Sequence, residues 1–475
     1  ERSETVSAFV DVAREIEGEG FALEDSDGAP AKFEISPTGY FGKVFRDHAD
    51  LALMSYADEY ALEFFAESVP AYGYKTFVLR RTPKAEKRAA EKGFSMENEF
   101  LKADVNPDGT VTVTDKASGA SYENLNYFED GGEMGHSWSH VSPIKDLIVS
   151  SRGVKAKLSR TLSGAVANSV KAEFAIKIPS DTPRSSDYKD WRQSERAAKD
   201  LVPVKFEVEY TLKAGARNLE VCVKFENRCR NHRLRAMFDT GVRAENSFAE
   251  SVFDVAERRI ARDGKNPYSY MPELTFPMSR FAGVRDASRG FAVLGGGLKE
   301  YEAFEGGRFA LTVMRAYENK ICTSGDFDLE YKPGDLAQGF GEHSYRYALC
   351  FGDFGADYEA LFNAADRFAA PLLVAESKAR RGGSLPMSAG FLSVDNPAVQ
   401  LSCAKKAARS GEICLRVFNP SKKPQACRIS LPRAVKSARL ANLNEEPLKK
   451  AKASGNSVVL ELAPKKIQTV LVELK

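Results

Sequence analysis

The sequence has almost no excess charge of either sign, although 28% of its residues are charged. Its 68 lysines and arginines offset 66 aspartates and glutamates, which leaves a formal net charge of only +2 at pH 7. A protein so close to neutral creates no overall field that would attract nucleic acid or anionic lipid. We therefore expect neither a nucleic-acid partner nor a membrane partner. A neutral ligand such as a sugar fits this charge balance better.

Cysteine is scarce, and its spacing lacks the paired C-x-x-C pattern of a metal site. The cysteines are odd in number and scattered along the chain: Cys222, Cys229, Cys322, Cys350, Cys403, Cys414 and Cys427. Several occupy apolar positions in strand-like runs, which is typical of buried thiols in a reducing compartment. We therefore expect free cysteines and a cytoplasmic location.

A leader sequence and a membrane span are also lacking. The chain opens at Glu1 without an initiator methionine and without the basic and apolar segments of a signal peptide. No apolar run is long enough to cross a bilayer. We expect a soluble protein, and the missing methionine suggests that the sequence is a fragment of a longer one.

The sequence does contain strand patterns, arranged in successive blocks. Its 475 residues predict about three domains at roughly 150 residues each, and a 43% hydrophobic content is enough to fill their cores. The run "PKAEKRAAEKG" is charged, opens with proline and closes with glycine, as a surface linker would. We predict a small β-domain at 1–82, a linker at 83–95, a large β-domain at 96–378 and a small C-terminal β-domain at 386–475.

Apolar residues alternate with period two most clearly in the large domain. In "KFEVEYTLKAGARNLEVCVKFEN" two alternating arms flank a turn, which predicts a long antiparallel hairpin that buries Val208, Tyr210, Val221 and Val223. In "DYEALFNAADRFAAPLL" the apolar residues recur at helical spacing until Pro371, which predicts a short helix. In the first domain "TVSAFVDV" alternates as a strand, whereas "ALEFFAES" fits either a strand or a helix.

Three other stretches favour structural interpretations. "AVLGGGLKEYEA" is rich in glycine but lacks the lysine and the strand-to-helix context of a phosphate loop, so we predict a tight β-turn. "NRCRNHRLRAMF" is rich in arginine but has no interleaved aromatics, so we predict a salt-bridged strand edge. The polar stretch at 180–200 predicts a mobile loop.

The loop "NYFEDGGEMGHSWSH" holds the closely spaced histidines of the chain. Glu133, His136 and His140 are the residue types that bind zinc, but no further ligand follows at a recognisable spacing. The sequence also shows no nucleophile with an identifiable base. We therefore predict neither a metal site nor a catalytic residue in this chain.

Six segments follow one another in a specific order: "MENEFLKADVNPDGTVTVTDKASGASYENLNYFEDGGEMG", "FENRCRNHRLRAMFDTGV", "SVFDVAERRI", "GFAVLGGGLKEYEA", "GEHSYRYAL" and "ANLNEEPL". In this order they resemble the C-terminal half of glycoside hydrolase family 38, the α-mannosidases. The resemblance runs over nearly the whole chain from about residue 96, and residues 1–82 resemble the small β-domain that precedes this half. It implies an all-β fold, in which a large antiparallel supersandwich similar to galactose mutarotase is flanked by two smaller β-sandwiches.

The resemblance also implies which parts of the enzyme this chain would lack. Enzymes of the family carry a zinc ion and an aspartate nucleophile in an N-terminal α/β barrel, followed by a three-helix bundle, and these would lie upstream of Glu1. The intact enzyme would hydrolyse α-mannosides with retention, using a nucleophile carboxylate and an acid/base carboxylate. We therefore expect this chain to be inactive alone, without a cofactor, and to supply scaffold and part of the sugar-pocket wall to that barrel.

The same resemblance gives candidate sugar contacts. In the family, the segment after "NYFEDGG" reaches towards the sugar pocket, and Trp138 stands near a position that tyrosine usually holds. Trp138 would stack on a sugar ring without supplying a hydroxyl, while His136 and His140 would hydrogen-bond sugar hydroxyls or the neighbouring domain. Arg315 in "LTVMRAY" is the fourth candidate. The loop glycines should permit unusual backbone conformations and leave the loop exposed and mobile. A plain surface loop or a domain contact is the alternative.

Two other functions stay open on the sequence alone. A stand-alone carbohydrate-binding β-sandwich would show a concave sheet face lined by aromatic residues. A mutarotase-like sugar epimerase would show a buried Glu/His pair in a cleft, for which Glu342 and His343 are the candidates. The sequence leaves homo-oligomerisation open as well.

Overall fold

β-strands form nearly all the regular structure, as the predicted all-β class requires. The computed structural model describes residues 1–14, 16–46, 52–84, 93–137, 140–183, 194–261, 275–318, 337–377 and 383–475. Within these residues it contains 35 strands and one α-helix. The sheets are built from antiparallel pairs.

The first block of strands forms a small domain with its own core. Its strands are β1 (Arg2–Ala13), β2 (Gly20–Glu24), β3 (Phe33–Arg46), β4 (Ala52–Val69), β5 (Gly73–Lys75) and β6 (Val78–Thr82). A three-stranded sheet, β1-β4-β3, packs on the pair β2-β6 around a core that includes Val6 and Leu23. The stretch "ALEFFAES" lies in β4, where Leu62 and Phe64 point into this core two residues apart, so it is a strand and not a helix.

The large domain follows with nineteen strands in the described residues. They are β7 (Ser95–Glu97), β8 (Leu101–Val105), β9 (Val111–Asp115), β10 (Ser121–Leu125), β11 (Tyr127–Gly132), β12 (Val149–Ser150), β13 (Lys157–Ser163), β14 (Ala167–Pro179), β15 (Leu201–Lys213), β16 (Asn218–Asn227), β17 (His232–Asp239), β18 (Asn246–Ser251), β19 (Asp254–Arg259), β20 (Phe276–Pro277), β21 (Phe281–Arg285), β22 (Gly290–Leu294), β23 (Glu300–Ala303), β24 (Arg308–Ala316) and β25 (Gly341–Phe351).

Three sheets of these strands enclose one continuous core. The largest has nine strands in the order β13-β14-β15-β16-β25-β22-β21-β18-β19. The others are a six-stranded sheet, β12-β11-β17-β24-β23-β20, and a four-stranded sheet, β10-β9-β8-β7. Val113, Tyr210 and Phe238, one from each sheet, belong to the same buried cluster. The large antiparallel sandwich that the sequence predicts is therefore confirmed.

The predicted hairpin is confirmed, including its register. Strands β15 and β16 pair with Val208 opposite Val223 and Tyr210 opposite Val221. All four side chains are fully buried, at 0% exposure. Alternation placed them correctly because one face of this hairpin packs on the core and the other faces solvent.

The predicted helix, α1 (Glu359–Ala369), buries Leu361, Phe362 and Ala365 and ends two residues before Pro371. Its buried face packs on β21 and β22, and Phe362 also contacts Phe418 of the C-terminal domain. No helix in the described part of the chain is long and apolar enough to cross a membrane.

The C-terminal block forms a second small sandwich. Its strands are β26 (Ser388–Gly390), β27 (Ser393–Val394), β28 (Gln400–Lys406), β29 (Ile413–Phe418), β30 (Gln425–Ser430), β31 (Val435–Ala441), β32 (Pro447–Lys450), β33 (Lys452–Ser454), β34 (Ser457–Leu462) and β35 (Ile467–Leu474). Sheets β27-β30-β34-β33 and β28-β29-β35-β31-β32 enclose a core that includes Val417 and Val458. Strand β26 instead pairs with β5, so the start of this block lies against the first domain.

One of the structural interpretations needs correction. Strand β17, which holds most of "NRCRNHRLRAMF", lies between β11 and β24, so the predicted strand edge is wrong. The predicted ion pairing is present, because Arg235 lies 2.9 Å from Glu302 on the face of the sheet away from the core. "AVLGGG" does form a tight turn, with positive φ at Gly296 and Gly297. Residues 184–193 of the polar loop lie outside the described residues, and Arg196 beyond them is buried.

The cysteines behave as the sequence indicates. The six in the described part of the chain are free thiols, and Cys229, Cys350, Cys414 and Cys427 among them are buried. Cys322 lies outside the described residues.

Replacing Val221 by alanine should destabilise the large domain by about 2 to 4 kcal/mol, because the core around the hairpin would keep a cavity. Lys224→Ala, on the exposed face of the same strand, is the matched control and should change stability by less than about 0.5 kcal/mol. Urea unfolding of both variants measures the difference. Equal stability of Val221→Ala and the parent would contradict the register.

Candidate functional site

Glu133 is the centre of the loop that follows β11. Its side chain has 0% exposure, and both carboxylate oxygens accept hydrogen bonds. Oε1 accepts from the backbone N–H of Gly135 at 2.7 Å and of Val141 at 3.2 Å. Oε2 lies 2.7 Å from Nδ1 of His140 and 2.8 Å from Nε of Arg315. The carboxylate therefore ties both ends of the loop to each other and to a strand of the sheet.

Close packing explains two of the loop glycines. Gly131 and Gly132 end β11 and have no positive φ, so the predicted unusual backbone is wrong for them. A Cβ on Gly131 would lie 2.8 Å from Cδ1 of Ile148, and one on Gly132 would lie 2.5 Å from Cγ of Pro143. Asp146 in the same segment accepts the N–H of Gly132 at 2.9 Å. Glycine is needed here because this segment packs directly on the strand.

Arg315, near the end of β24, closes the loop from the side. Besides its bond to Glu133, its Nη2 donates to the carbonyl of His136 at 2.7 Å. Its Nη1 lies 3.6 Å from Oε2 of Glu300. The side chain is only 12% exposed. Arg315 thus binds the loop from β24 and is not a solvated arginine at a strand end.

Burial and ion pairing act in opposite directions on Glu133. Burial by itself would raise the pKa of this carboxyl, but the hydrogen bond and charge of His140, together with Arg315, lower that pKa to about 2. Burial lowers the pKa of His140, so its ring is neutral at pH 7. Neutral His140 donates from Nδ1 to Glu133, and its Nε2 accepts from the Ser142 hydroxyl at 3.1 Å. At neutral pH, Arg315 is therefore the cation that balances the buried carboxylate.

The loop borders a charged face on the six-stranded sheet. This face, on the side away from the core, carries the alternating acids and arginines Glu129, Arg233, Arg235, Glu300, Glu302 and Arg315. Burial lowers the pKa of Arg233 to about 10. Its Nη1 is buried and has no hydrogen-bond partner among the described residues. The charges on this face are therefore mutually paired, with Arg233 the least well satisfied.

A second buried ion pair lies on the other side of β11. Asp130, with 0% exposure, accepts from Arg196 through Oδ1, and its Oδ2 lies 2.6 Å from Nδ1 of His232. Nε2 of His232 lies 3.0 Å from Oδ1 of Asn227, whose Nδ2 donates to the carbonyl of Gln338 at 2.8 Å. Both ring nitrogens of His232 thus have a hydrogen-bond partner within the protein.

Asn231 connects this ion pair to the loop. Its carbonyl accepts the N–H of Glu133 at 2.9 Å. Its own N–H donates to the side chain of Gln338 at 2.9 Å, and its Oδ1 accepts from the same side chain at 3.0 Å. Asn231 therefore holds the start of the loop, in addition to Arg315 of β24.

The structure brings three of the four candidate residues together. His140 and Arg315 contact Glu133, and His136 offers its carbonyl to Arg315. Trp138 lies outside the described residues. Residues 132–135 are buried, so the expectation of an exposed loop is wrong for them. Burial follows from Glu133, because a carboxylate that bonds both ends of the loop draws the loop against the sheet.

A metal ion does not fit the donor atoms of this loop. Both ring nitrogens of His140 and both oxygens of Glu133 are already engaged within the protein. Throughout the described ranges, no three histidine, cysteine, aspartate or glutamate residues are grouped as metal ligands.

The pair proposed for an epimerase is not a pair in space. Glu342 and His343 are consecutive in β25 and point to opposite faces, with Glu342 exposed. Nε2 of His343 lies 2.6 Å from the carbonyl of Gly339, and its ring stacks on Phe225 at 5.4 Å. Adjacent residues of a strand point to opposite faces, so the consecutive positions of Glu342 and His343 keep their side chains apart.

Sequence reasoning missed the buried charges of the site. Sequence patterns mark Glu133 only as a possible zinc ligand and Arg233 only as part of a salt-bridged strand edge, and they do not mark Asp130 or Arg196. The available signal was the alternation of arginines with apolar residues in β17. Alternation shows which face of a strand a residue occupies, but the residue that pairs with it comes from a distant strand.

Two family models match the chain over most of the large domain and the C-terminal sandwich. The model of the glycosyl hydrolases family 38 C-terminal domain matches residues 96–320, and that of the family's C-terminal beta sandwich domain matches residues 398–470. The chain belongs to glycoside hydrolase family 38. The resemblance seen in the sequence is thus confirmed.

Solved family 38 structures have the same fold. An α-mannosidase from Enterococcus faecalis has a TM-score of 0.83 at 21% identity, covering 99% of this chain and 55% of that chain. A second family 38 protein from Enterococcus faecalis has a TM-score of 0.82 at 20% identity, covering 99% and 56%. A putative mannosylglycerate hydrolase from Halalkalibacterium halodurans is 23% identical over 387 residues, covering 80% of this chain and 41% of the relative. The chain spans about half the length of these three relatives.

Replacing Glu133 by glutamine should destabilise the chain at neutral pH and much less in acid. The carboxyl pKa falls from 4.5 to about 2, so the charged form contributes stability above the unfolded pKa, and the contribution is lost as pH falls towards 2. The whole shift corresponds to on the order of 3 kcal/mol, but the part that comes from the charge of His140 is absent at pH 7, where that ring is neutral, so the loss at neutral pH should be smaller. Urea unfolding of both proteins from about pH 7 to about pH 3 measures how the gap closes.

Glu342→Gln is the matched control for this series, since it removes the same charge from an exposed position. Its stability should follow that of the parent at each pH. A gap between Glu133→Gln and the parent that stays constant with pH would show that the carboxylate charge is not what holds the loop.

Proposed function

We propose that this chain is the C-terminal, non-catalytic part of a retaining α-mannosidase, and that it supplies scaffold and part of the sugar-pocket wall to an N-terminal catalytic barrel. Membership of glycoside hydrolase family 38 supports a glycoside hydrolase of this type. The single observation that carries the role in the pocket is the Glu133–Arg315 ion pair, which holds the loop at one end of the six-stranded sheet.

The Glu133–Arg315 ion pair has the properties expected of an anchor that holds neighbouring residues in place. A buried carboxylate is costly unless it is paired and hydrogen-bonded, and Glu133 uses both oxygens for this. Arg315 also donates a hydrogen bond to the carbonyl of His136, two residues before Trp138. A loop whose described residues are held in one geometry has a lower entropy cost of binding a ligand.

The mannosyl unit is the part of the substrate that we propose is recognised. The printed names of two relatives, an α-mannosidase and a putative mannosylglycerate hydrolase, have this unit in common. Trp138 would stack on the apolar face of the sugar ring, and His136 and His140 would lie at the rim of the pocket. The nucleophile, the acid/base carboxylate and the zinc ion would belong to the catalytic barrel.

A stand-alone sugar-binding sandwich is a weaker proposal. Phe174, Phe206 and Phe225 form an aromatic row across β14, β15 and β16 with ring centroids 5.4 Å apart. The row lies in the core of the large domain and contacts Phe128 of the opposite sheet. It is therefore not available to a sugar.

The isolated chain should neither hydrolyse an aryl α-mannoside nor retain zinc after dialysis, because the loop donors are engaged within the protein. Product release and metal analysis test this, with a polypeptide that joins the chain to the family's barrel as the positive control. Hydrolysis by the isolated chain would contradict the proposal. So would stoichiometric zinc that is lost on replacing His136 and His140 with alanine.

In that joined polypeptide, Trp138→Ala should lower kcat/KM on α-mannosides at least about tenfold, or roughly 1.4 kcal/mol, because a sugar-stacking surface is removed. Ser137→Ala, an exposed neighbour in the same loop, is the control and should keep the parent kinetics. Unchanged kinetics of Trp138→Ala with an intact fold would remove Trp138 from the pocket.

A further inference from the structure

A cleft lies where the first domain, the large domain and α1 meet. Its volume is about 60 Å³, and it is lined by residues 3–5 of β1, residues 213–216 with Asn218 and Glu220 of the β15–β16 hairpin, Arg346 of β25, Arg367 and Phe368 of α1, and Pro371. A water molecule needs roughly 10–15 Å³ of this kind of space. The cleft therefore has room for about four or five non-hydrogen atoms.

Cations outnumber acids in and beside this cleft. Glu220 is shared between Lys213 at 2.8 Å and Arg346 at 2.9 Å, so one carboxylate serves two cations. Glu4 forms an ion pair with Arg2 at 2.7 Å. Glu4 also lines the cleft and its charge acts on Arg367, but within the described residues the guanidinium of Arg367, an exposed residue, makes no hydrogen bond or ion pair.

Asn218 is a second donor without a partner. Asn218 lines the cleft, and its side-chain amide makes no hydrogen bond to any residue that the structure describes. Arg346 is held in place from two sides, by Glu220 and by the ring of Phe368 at 4.6 Å. A fixed cation, an unpaired cation and a free amide thus meet across one cleft.

The surroundings of Arg367 favour an anion. Partial burial lowers the pKa of Arg367, the charge of Glu4 raises it and the charge of Arg2 lowers it again, so Glu4 offsets the lowering only in part. The carbonyl groups at the end of α1 would repel an anion, but Arg2 covers two of them, donating to Ala370 at 2.7 Å and to Arg367 at 3.4 Å.

We propose that this cleft binds a phosphate-sized oxyanion, held by Arg367, Arg346 and Asn218. Guanidinium groups bind phosphate oxygens through charge-assisted, paired hydrogen bonds, and a tetrahedral oxyanion has the five non-hydrogen atoms that the space admits. The ligand is either free phosphate or the phosphate group of a small ester. It would link β1, the β15–β16 turn and α1, and would therefore stabilise the junction of the domains.

Thermal unfolding of this chain, titrated with sodium phosphate at constant ionic strength held by sodium chloride, tests the proposal. Since a ligand that binds only the native state raises Tm with its concentration, we expect a saturable rise with phosphate. Glycerol phosphate as a second titrant identifies the source. A tighter response to the ester points to a phosphorylated metabolite, an equal response points to free phosphate, and either one supports the site.

Variants separate this site from general salt effects, which act on all proteins alike. Arg367→Gln and Asn218→Ala should each weaken the response at least about tenfold, whereas Arg367→Lys should restore part of it. Lys452→Ala, which removes one exposed cation in the C-terminal domain, should respond like the parent. Absence of a saturable rise in the parent, or a full response in both Arg367→Gln and Asn218→Ala, would overturn the proposal.

Discussion

Antiparallel pairing of β11, β17 and β24 is the constraint on which the candidate site depends. It places Gly131 opposite Arg233, and Arg233 opposite Arg315, although these residues are far apart in the sequence. Side chains alternate along each strand, so the register that sends Leu234 into the core sends Arg233 to the other face. A slip of one residue would bury the arginines in the core, and for this reason the core and the charged face specify the same register.

The paired charges around this sheet fix the position of the loop more than they add to the net stability of the fold. Taking a carboxylate out of water costs several kcal/mol, and its ion pair offsets this cost only when the remaining hydrogen bonds are made. Glu133 meets that condition in the loop, and Asp130 meets it on the other side of β11 through Arg196 and His232. Hydrophobic residues would stabilise the sheet as well or better. The presence of paired charges is therefore consistent with a loop whose position matters, as the proposed pocket wall requires.

Specific contacts join the three domains. Arg2 of β1 binds the carbonyl end of α1, while Glu4 accepts the N–H of Leu372 just beyond that helix. Strand β26 pairs with β5 across the chain, and α1 touches the C-terminal sandwich through Phe418. These contacts link segments hundreds of residues apart and bring together the cations of the cleft, each of which looks like an ordinary surface residue in the sequence.

The all-β class, the family, the buried face of the hairpin and the helix at Glu359–Ala369 can be predicted from the amino-acid sequence, because these follow from local alternation, helical spacing and ordered motifs. The sequence left "ALEFFAES" ambiguous, since packing on the first core decides between strand and helix there. It placed β17 at an edge, since neighbours in a sheet are not encoded locally. The grouping of Glu133, His140 and Arg315 into one buried unit is visible only in three dimensions. A pairing between distant strands depends on long-range register, which no local pattern of residues specifies.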